Sequence, residues 1–137
     1  MTTEQKILII EDDTFINRIY KRVFGLTGFA IELAQNGEEA LTKMETMNPL
    51  PTLIILDIMI PKISGFEVLK RLKSDTRWQH IPVIVMTNLS EKADEEKALN
   101  LGASLYMVKS DHNPREVVLK AKELIEKHAA SEVAMIE

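Results

Sequence analysis

The chain contains no cysteine, which excludes disulfides, thiolate metal sites and cysteine nucleophiles and is compatible with a reducing compartment. Aromatic side chains are scarce, with one tryptophan and two tyrosines, and no stripe of lysine and arginine is interleaved with them. Together with a formal charge of −4, this argues against direct nucleic-acid binding. The apolar runs are only a handful of residues long and Met1 to Lys6 has no signal-peptide core, so neither membrane insertion nor secretion is indicated. No glycine-rich phosphate loop of the dinucleotide or P-loop kind occurs, which weighs against a nucleotide site. No repeat, low-complexity tract or linker composition interrupts the chain, so a cytoplasmic domain standing alone is the expectation.

What is present is the balance of a folded domain: 137 residues, 45% apolar and 28% charged, enough for one hydrophobic core. Apolar runs of strand length alternate with segments of helical period in five pairs, the pattern of an α/β fold with helices on both faces of a parallel sheet. The first strand, Ile7 to Ile10, leads to a helix with Ile16, Ile19, Tyr20, Val23 and Phe24 in its buried stripe. Phe29, Ile31 and Leu33 alternate as an edge strand does, and Asn36 with Glu39 predicts a capping box before a helix bearing Ala40, Leu41, Met44 and Met47. Pro49 and Pro51 break that helix. A central strand follows from Thr52 to Leu56, then a helix opened by Ser64 and Glu67 and carrying Phe66, Val68, Leu69 and Leu72. Val83 to Met86 form the fourth strand, Ser90 caps the fourth helix, Gly102 closes it, and Leu105 to Val108 form the fifth strand. Asn113 and Pro114 open the last helix, with Val117, Ala121, Leu124 and Ile125 inward. Residues 1–128 form the domain, and the tail 129–137 reads as a helix extension or a frayed, disordered end.

The strand ends carry the chemistry. Glu11 and Asp12, Asp57, Thr87 and Lys109 each follow a strand, and in a parallel sheet with right-handed crossovers all of them lie at one edge, where open α/β proteins bind ligands. Clustered carboxylates without histidine or cysteine suit a hard divalent ion, and Mg²⁺ fits better than zinc or calcium. A carboxylate can itself accept a phosphoryl group when a cation offsets the repulsion between them. Asp57 is best placed to do so, with Lys109 pairing to one phosphoryl oxygen and the Thr87 hydroxyl donating to another. Asp13, next in the acidic row, reads as a helix cap.

Four motifs, Ile-Ile-Glu-Asp-Asp (9–13), Leu-Asp-Ile-Met-Ile-Pro with Ser64-Gly65 following (56–65), Val-Met-Thr (85–87) and Tyr-Met-Val-Lys (106–109), resemble the receiver domains of bacterial two-component response regulators, with the single-domain architecture of the chemotaxis-type members. The resemblance covers roughly residues 5–128. It implies a flavodoxin-like (βα)₅ fold with strand order 2-1-3-4-5. It makes Asp57 the phosphoacceptor and a metal ligand beside Glu11, Asp12 and the Met59 carbonyl, and it makes Thr87 and Tyr106 paired switch residues. It further implies a histidine kinase or phosphotransfer protein as donor and Mg²⁺ as cofactor. The readout would be a separate downstream target protein, a homodimer or a relay, through a surface spanning about Ser90 to Leu124.

Two positions depart from the family pattern. Ser110 stands where a proline usually follows the lysine in cis linkage, so the loop is either trans and reshaped or strained, since a cis bond before a non-proline costs about 2.5 to 4 kcal/mol. Asn88 stands where a small residue commonly follows the threonine and narrows the approach to Asp57, which points to an altered lifetime of the phosphorylated state. The rival reading is an enzyme, a phosphatase with an aspartyl-phosphate intermediate. Such enzymes want an acid two residues after the nucleophile, and that position is Met59. A regulatory phosphoacceptor, not an enzyme, is therefore favoured. His80, His112 and His128 read as surface residues, the methionines as core filler, and Trp78 as part of the loop after the third helix.

Overall fold

The computed structural model describes residues 5–136. Expectations that touch Met1 to Glu4 or Glu137, among them the domain and tail limits, fall partly outside the described residues. Five parallel strands, β1 (Lys6–Ile10), β2 (Ala30–Ala34), β3 (Leu53–Leu56), β4 (Val83–Thr87) and β5 (Leu105–Val108), stand in the order β2-β1-β3-β4-β5. Between and after them run α1 (Thr14–Gly25), α2 (Gly37–Thr46), α3 (Gly65–Ser74), α4 (Lys92–Asn100) and α5 (Pro114–Ile136).

Strand alternation sorts the apolar runs between two cores. Leu8, Ile10, Ile54, Leu56, Val83 and Val85 face α2, α3 and α4 through Ala40, Met44, Val68, Leu69, Leu72 and Ala98. Their sequence neighbours Ile7, Ile9, Leu53, Ile55, Ile84 and Met86 face α1 and α5 through Tyr20, Phe24, Val117, Val118, Ala121 and Ile125. Doubly covered strands can therefore be apolar throughout, as β3 is. Each such side chain contributes about 1.5 to 3 kcal/mol on burial. Among the described residues no helix is long and apolar enough to cross a membrane.

Helix starts follow local chemistry. Asp13 Oδ1 accepts from the N–H groups of Phe15 (2.9 Å) and Ile16 (3.2 Å), so Asp13 is a cap, as its position suggested. At Asn36 and Ser64 only the forward half of the capping box forms: each accepts from the amide three residues on, at 2.7 and 3.3 Å. Glu39 turns instead to the Gln35 amide and Glu67 to Arg71. The reciprocal box is at Asn113 and Glu116, where side chain and amide are exchanged at 3.0 and 3.4 Å. Ser90 is not the cap of α4. That helix begins at Lys92 with Glu91 in the cap position and no side-chain cap bond, because the Glu91 carbonyl accepts from both Asp94 and Glu95 and so sets the first turn one residue later. Met47 likewise falls outside α2, in extended conformation just past its end.

Trp78 lies after α3 as expected but is buried in the core, under the Arg77 guanidinium at 4.4 Å. Arg77 also bonds both oxygens of Glu45 (2.7 and 2.9 Å) and Asp75, which ties the end of α2 to the turn after α3. These bonds hold both carboxyls below their ordinary values near 4.5 and 3.8. Depressed carboxyls add stability above those values and lose it as pH falls through the lower folded ones. Arg77→Ala is expected to be less stable than wild type at pH 7 and to converge with it in acid. Urea titrations followed by Trp78 fluorescence check this, and an acid-independent difference would contradict it.

Candidate functional site

Ladder hydrogen bonding continues past the strand ends and sets the site. Ile10 is in register with Leu56, the Asp57 N–H donates to the Ile10 carbonyl at 3.0 Å, and the Glu11 N–H donates to the Ala34 carbonyl at 2.9 Å. Residues 46 positions apart in the sequence thus lie side by side at one rim. Oxygen atoms of Glu11, Asp12 and Asp57 come within 4.8 Å of one another. Glu11 and Asp57 are buried and Asp12 is exposed, so the cluster opens to solvent on the Asp12 side.

Lys109 spans the two buried acids, with Nζ 2.5 Å from Glu11 Oε2 and 2.7 Å from Asp57 Oδ2. The Lys109–Ser110 linkage is trans, the one cis peptide among the described residues being Asn48–Pro49, and a single 3₁₀ turn from Lys109 to Asp111 carries the lysine inward. The serine therefore does not keep the ammonium from the acids. Burial and the neighbouring Asp57 charge push Glu11 up to about 7 against the pull of Lys109. On Lys109, burial disfavours the charge, but the bonds to Asp57 and Glu11 outweigh it and raise its pKa.

Asp57 Oδ1 accepts from the Met59 N–H at 3.0 Å, while the Met59 side chain is 57% exposed. Thr87 is fully buried and its Oγ1 accepts from the Leu89 N–H at 3.4 Å. The half-buried Tyr106 donates its hydroxyl to the Leu89 carbonyl at 2.7 Å, and its pKa is raised by burial and by the charges of Asp94, Glu95 and Asp57. Thr87 and Tyr106 therefore meet at the two peptide groups of Leu89, a residue with no sequence signal of its own. Asn88, between Thr87 and Leu89 in the chain, is exposed, as is His80, whereas His112 and His128 are half-buried and pair with Glu116 and Glu132.

Two further contributors come from the packing: Asn17 carried no sequence signal, and Gly65 was legible only as part of a motif. Asn17 lies in the buried face of α1 with its Nδ2 donating to the Glu11 carbonyl at 2.8 Å. Gly65 begins α3 against the strand end, and a Cβ there would collide with the Asp57 carbonyl oxygen and the Ile58 Cα, both main-chain atoms that cannot rotate away. Gly65→Ala is expected to lower unfolding free energy by about 3 kcal/mol, at the upper end of overpacking costs because backbone must move. Urea denaturation checks this, and a change below about 0.5 kcal/mol, the range of neutral surface substitutions, would contradict it.

Comparison with known proteins gives a consistent result. The family model for the response regulator receiver domain matches residues 7–127. The chain is 36% identical over 130 residues to the alkaline phosphatase synthesis transcriptional regulatory protein PhoP of Bacillus subtilis, covering 95% of this chain and 51% of that protein. It thus spans about half the length of the curated relatives it matches. Among solved structures, a CheY-like receiver domain protein from Methanospirillum hungatei superposes with a TM-score of 0.85 at 29% identity, covering 94% of this chain and 99% of that one. The phosphorylated cyanobacterial phytochrome response regulator RcpA does so with a TM-score of 0.79 at 25% identity, over 94% and 96%.

Proposed function

The chain belongs to the family of response regulator receiver domains of two-component systems, and from there we propose that it is a phosphorylation-dependent switch that accepts a phosphoryl group on Asp57. The observation that carries this reading is the convergence of three carboxylates within 4.8 Å of one another, two of which, Glu11 and Asp57, are paired with the ammonium of Lys109. That RcpA was solved in phosphorylated form supports carrying the chemistry over to this fold.

Glu11, Asp12, Asp57 and the Met59 carbonyl would hold Mg²⁺, and the all-oxygen, mostly anionic donor set fits a hard ion. Bound there, the ion would offset the repulsion between the Asp57 carboxylate and an incoming phosphoryl group. An Asp57 oxygen attacks phosphorus, the bond from phosphorus to the donor's histidine nitrogen breaks, and its electron pair leaves on the imidazole. Lys109, already paired with Asp57, moves to a phosphoryl oxygen as a point charge. The Thr87 hydroxyl donates to another oxygen and, in turning, gives up the Leu89 N–H. Tyr106 holds the same residue by its carbonyl, so the connection from β4 to α4 responds to both. Helix α4 is suited to move, since Ala98 is its one buried residue and its start lacks a side-chain cap. The surface from about Ser90 to Leu124 would then present two states to a protein partner.

A histidine kinase or phosphotransfer protein supplies the phosphoryl group in this scheme, in the cytoplasm, and a downstream protein reads the changed surface. A turnover phosphatase is disfavoured because the position two residues after Asp57 is methionine, which has no proton to give a leaving group. Incubation with acetyl phosphate and Mg²⁺ is expected to add the mass of one phosphoryl group, lost again on treatment with hydroxylamine as an acyl phosphate is, and to add none with a chelator. The absence of any increment in Mg²⁺, or equal uptake with chelator, would overturn the reading.

A further inference from the structure

Asn17 interrupts the buried row Asn17, Tyr20, Phe24 of α1, where helical spacing favours apolar side chains and asparagine is a poor interior helix residue. Only 4% of its surface is exposed. Its Nδ2 donates to the Glu11 main-chain carbonyl at 2.8 Å, whereas Oδ1 is buried with no hydrogen-bond partner among the described residues. A satisfied donor and a stranded acceptor pull fold stability in opposite directions, so the amide brings the fold little net stability. Its consequence lies at Glu11. The Glu11 N–H is held by Ala34 and its carbonyl by Asn17, so both peptide groups flanking that side chain are pinned. The carboxylate in turn takes the Asp13 N–H at 3.1 Å and Lys109 at 2.5 Å.

We propose that Asn17 is a positioning residue of the acidic site: by holding the Glu11 carbonyl it fixes where the Glu11 carboxylate stands relative to Asp12 and Asp57, and so sets the affinity for a hard divalent cation. The proposal rests on reading those three acids as cation ligands. Groups that orient a ligand without touching the ion characteristically change its affinity by about 10- to 100-fold.

The test is a Mg²⁺ titration of wild type, Asn17→Leu and Asn17→Gln, followed by the amide NMR shifts of residues 11–13 and 57–59, with thermal melts of each protein in chelator. The leucine variant, close in size, is expected to melt near wild type in chelator and to bind Mg²⁺ about tenfold or more weakly. The glutamine variant, which keeps an amide donor, is expected to recover most of the affinity. Wild-type affinity in Asn17→Leu overturns the proposal whatever happens to its melting temperature, and so does a glutamine variant as weak as the leucine one. Should the leucine variant not fold, Asn17→Ala takes its place with the same expectations for affinity. Failure of wild type itself to bind Mg²⁺ removes the cation-site reading and this proposal together, whereas equal binding by wild type and variant removes only this one.

Discussion

Asp57→Asn is expected to take up no phosphoryl group under conditions in which wild type gains one. The amide is nearly isosteric with the carboxylate, so its oxygen can still accept from the Met59 N–H, which now reaches Asp57 Oδ1 at 3.0 Å, or from Lys109. The fold should therefore persist. What is lost is nucleophilicity, because the amide nitrogen lone pair is delocalised and the group carries no charge to attack phosphorus. One of three clustered negative charges also disappears, which weakens any cation held by Glu11 and Asp12. Intact mass after incubation with acetyl phosphate and Mg²⁺ reads the outcome directly, and circular dichroism shows that the variant is folded. A folded variant gaining the same mass as wild type would place the acceptor elsewhere.

Lys109→Met should produce the other large effect, this time on stability. The lysine side chain is 11% exposed and those of its partners Glu11 and Asp57 are 6% and 5% exposed, so its removal leaves two buried carboxylates without compensation. Breaking such a pair costs about 3 to 5 kcal/mol, and the low end is expected because Asp12 opens the cluster to water. The loss should depend on pH. With Lys109 pulling it down, Glu11 is still held by burial up to about 7, above its ordinary 4.5, and without that pull it rises further, so the cost of its charge is absent below the ordinary value and grows as pH rises above it. The variant is thus expected to be closer to wild type at pH 5 than at pH 8. Added Mg²⁺ should restore stability at pH 8 by supplying the missing positive charge. Urea titrations at the two pH values, with and without Mg²⁺, measure this. A variant as stable as wild type at pH 8 in chelator would show that the lysine is not what neutralises the acids.

Local chemistry carried most of the architecture. The runs Ile7 to Ile10 and Leu53 to Leu56 are strands because doubly covered parallel strands tolerate apolar residues at every position, and Asp13, Asn36, Ser64 and Asn113 start helices because short polar side chains can reach the free amides of a first turn. Residue type and place at strand ends were sufficient to nominate Glu11, Asp12, Asp57, Thr87 and Lys109. Other features had no local signal. Ser90 has the chemistry of a cap, yet where α4 begins is decided by the backbone bonds its first turn makes. Trp78 looks like a loop residue until the fold places it beneath Arg77.

By itself, then, the sequence determined the order of elements, the two-faced sheet and the chemical inventory of the rim, since these depend on periodicity and on contacts within a few residues. Tertiary structure alone decided that Lys109 bridges Glu11 and Asp57, that Leu89 joins Thr87 to Tyr106, that Asn17 pins the Glu11 carbonyl and that Gly65 admits no side chain. Each of these is a contact between segments whose separation is set by strand register and helix placement, quantities that belong to the packed whole and that no short window of sequence contains.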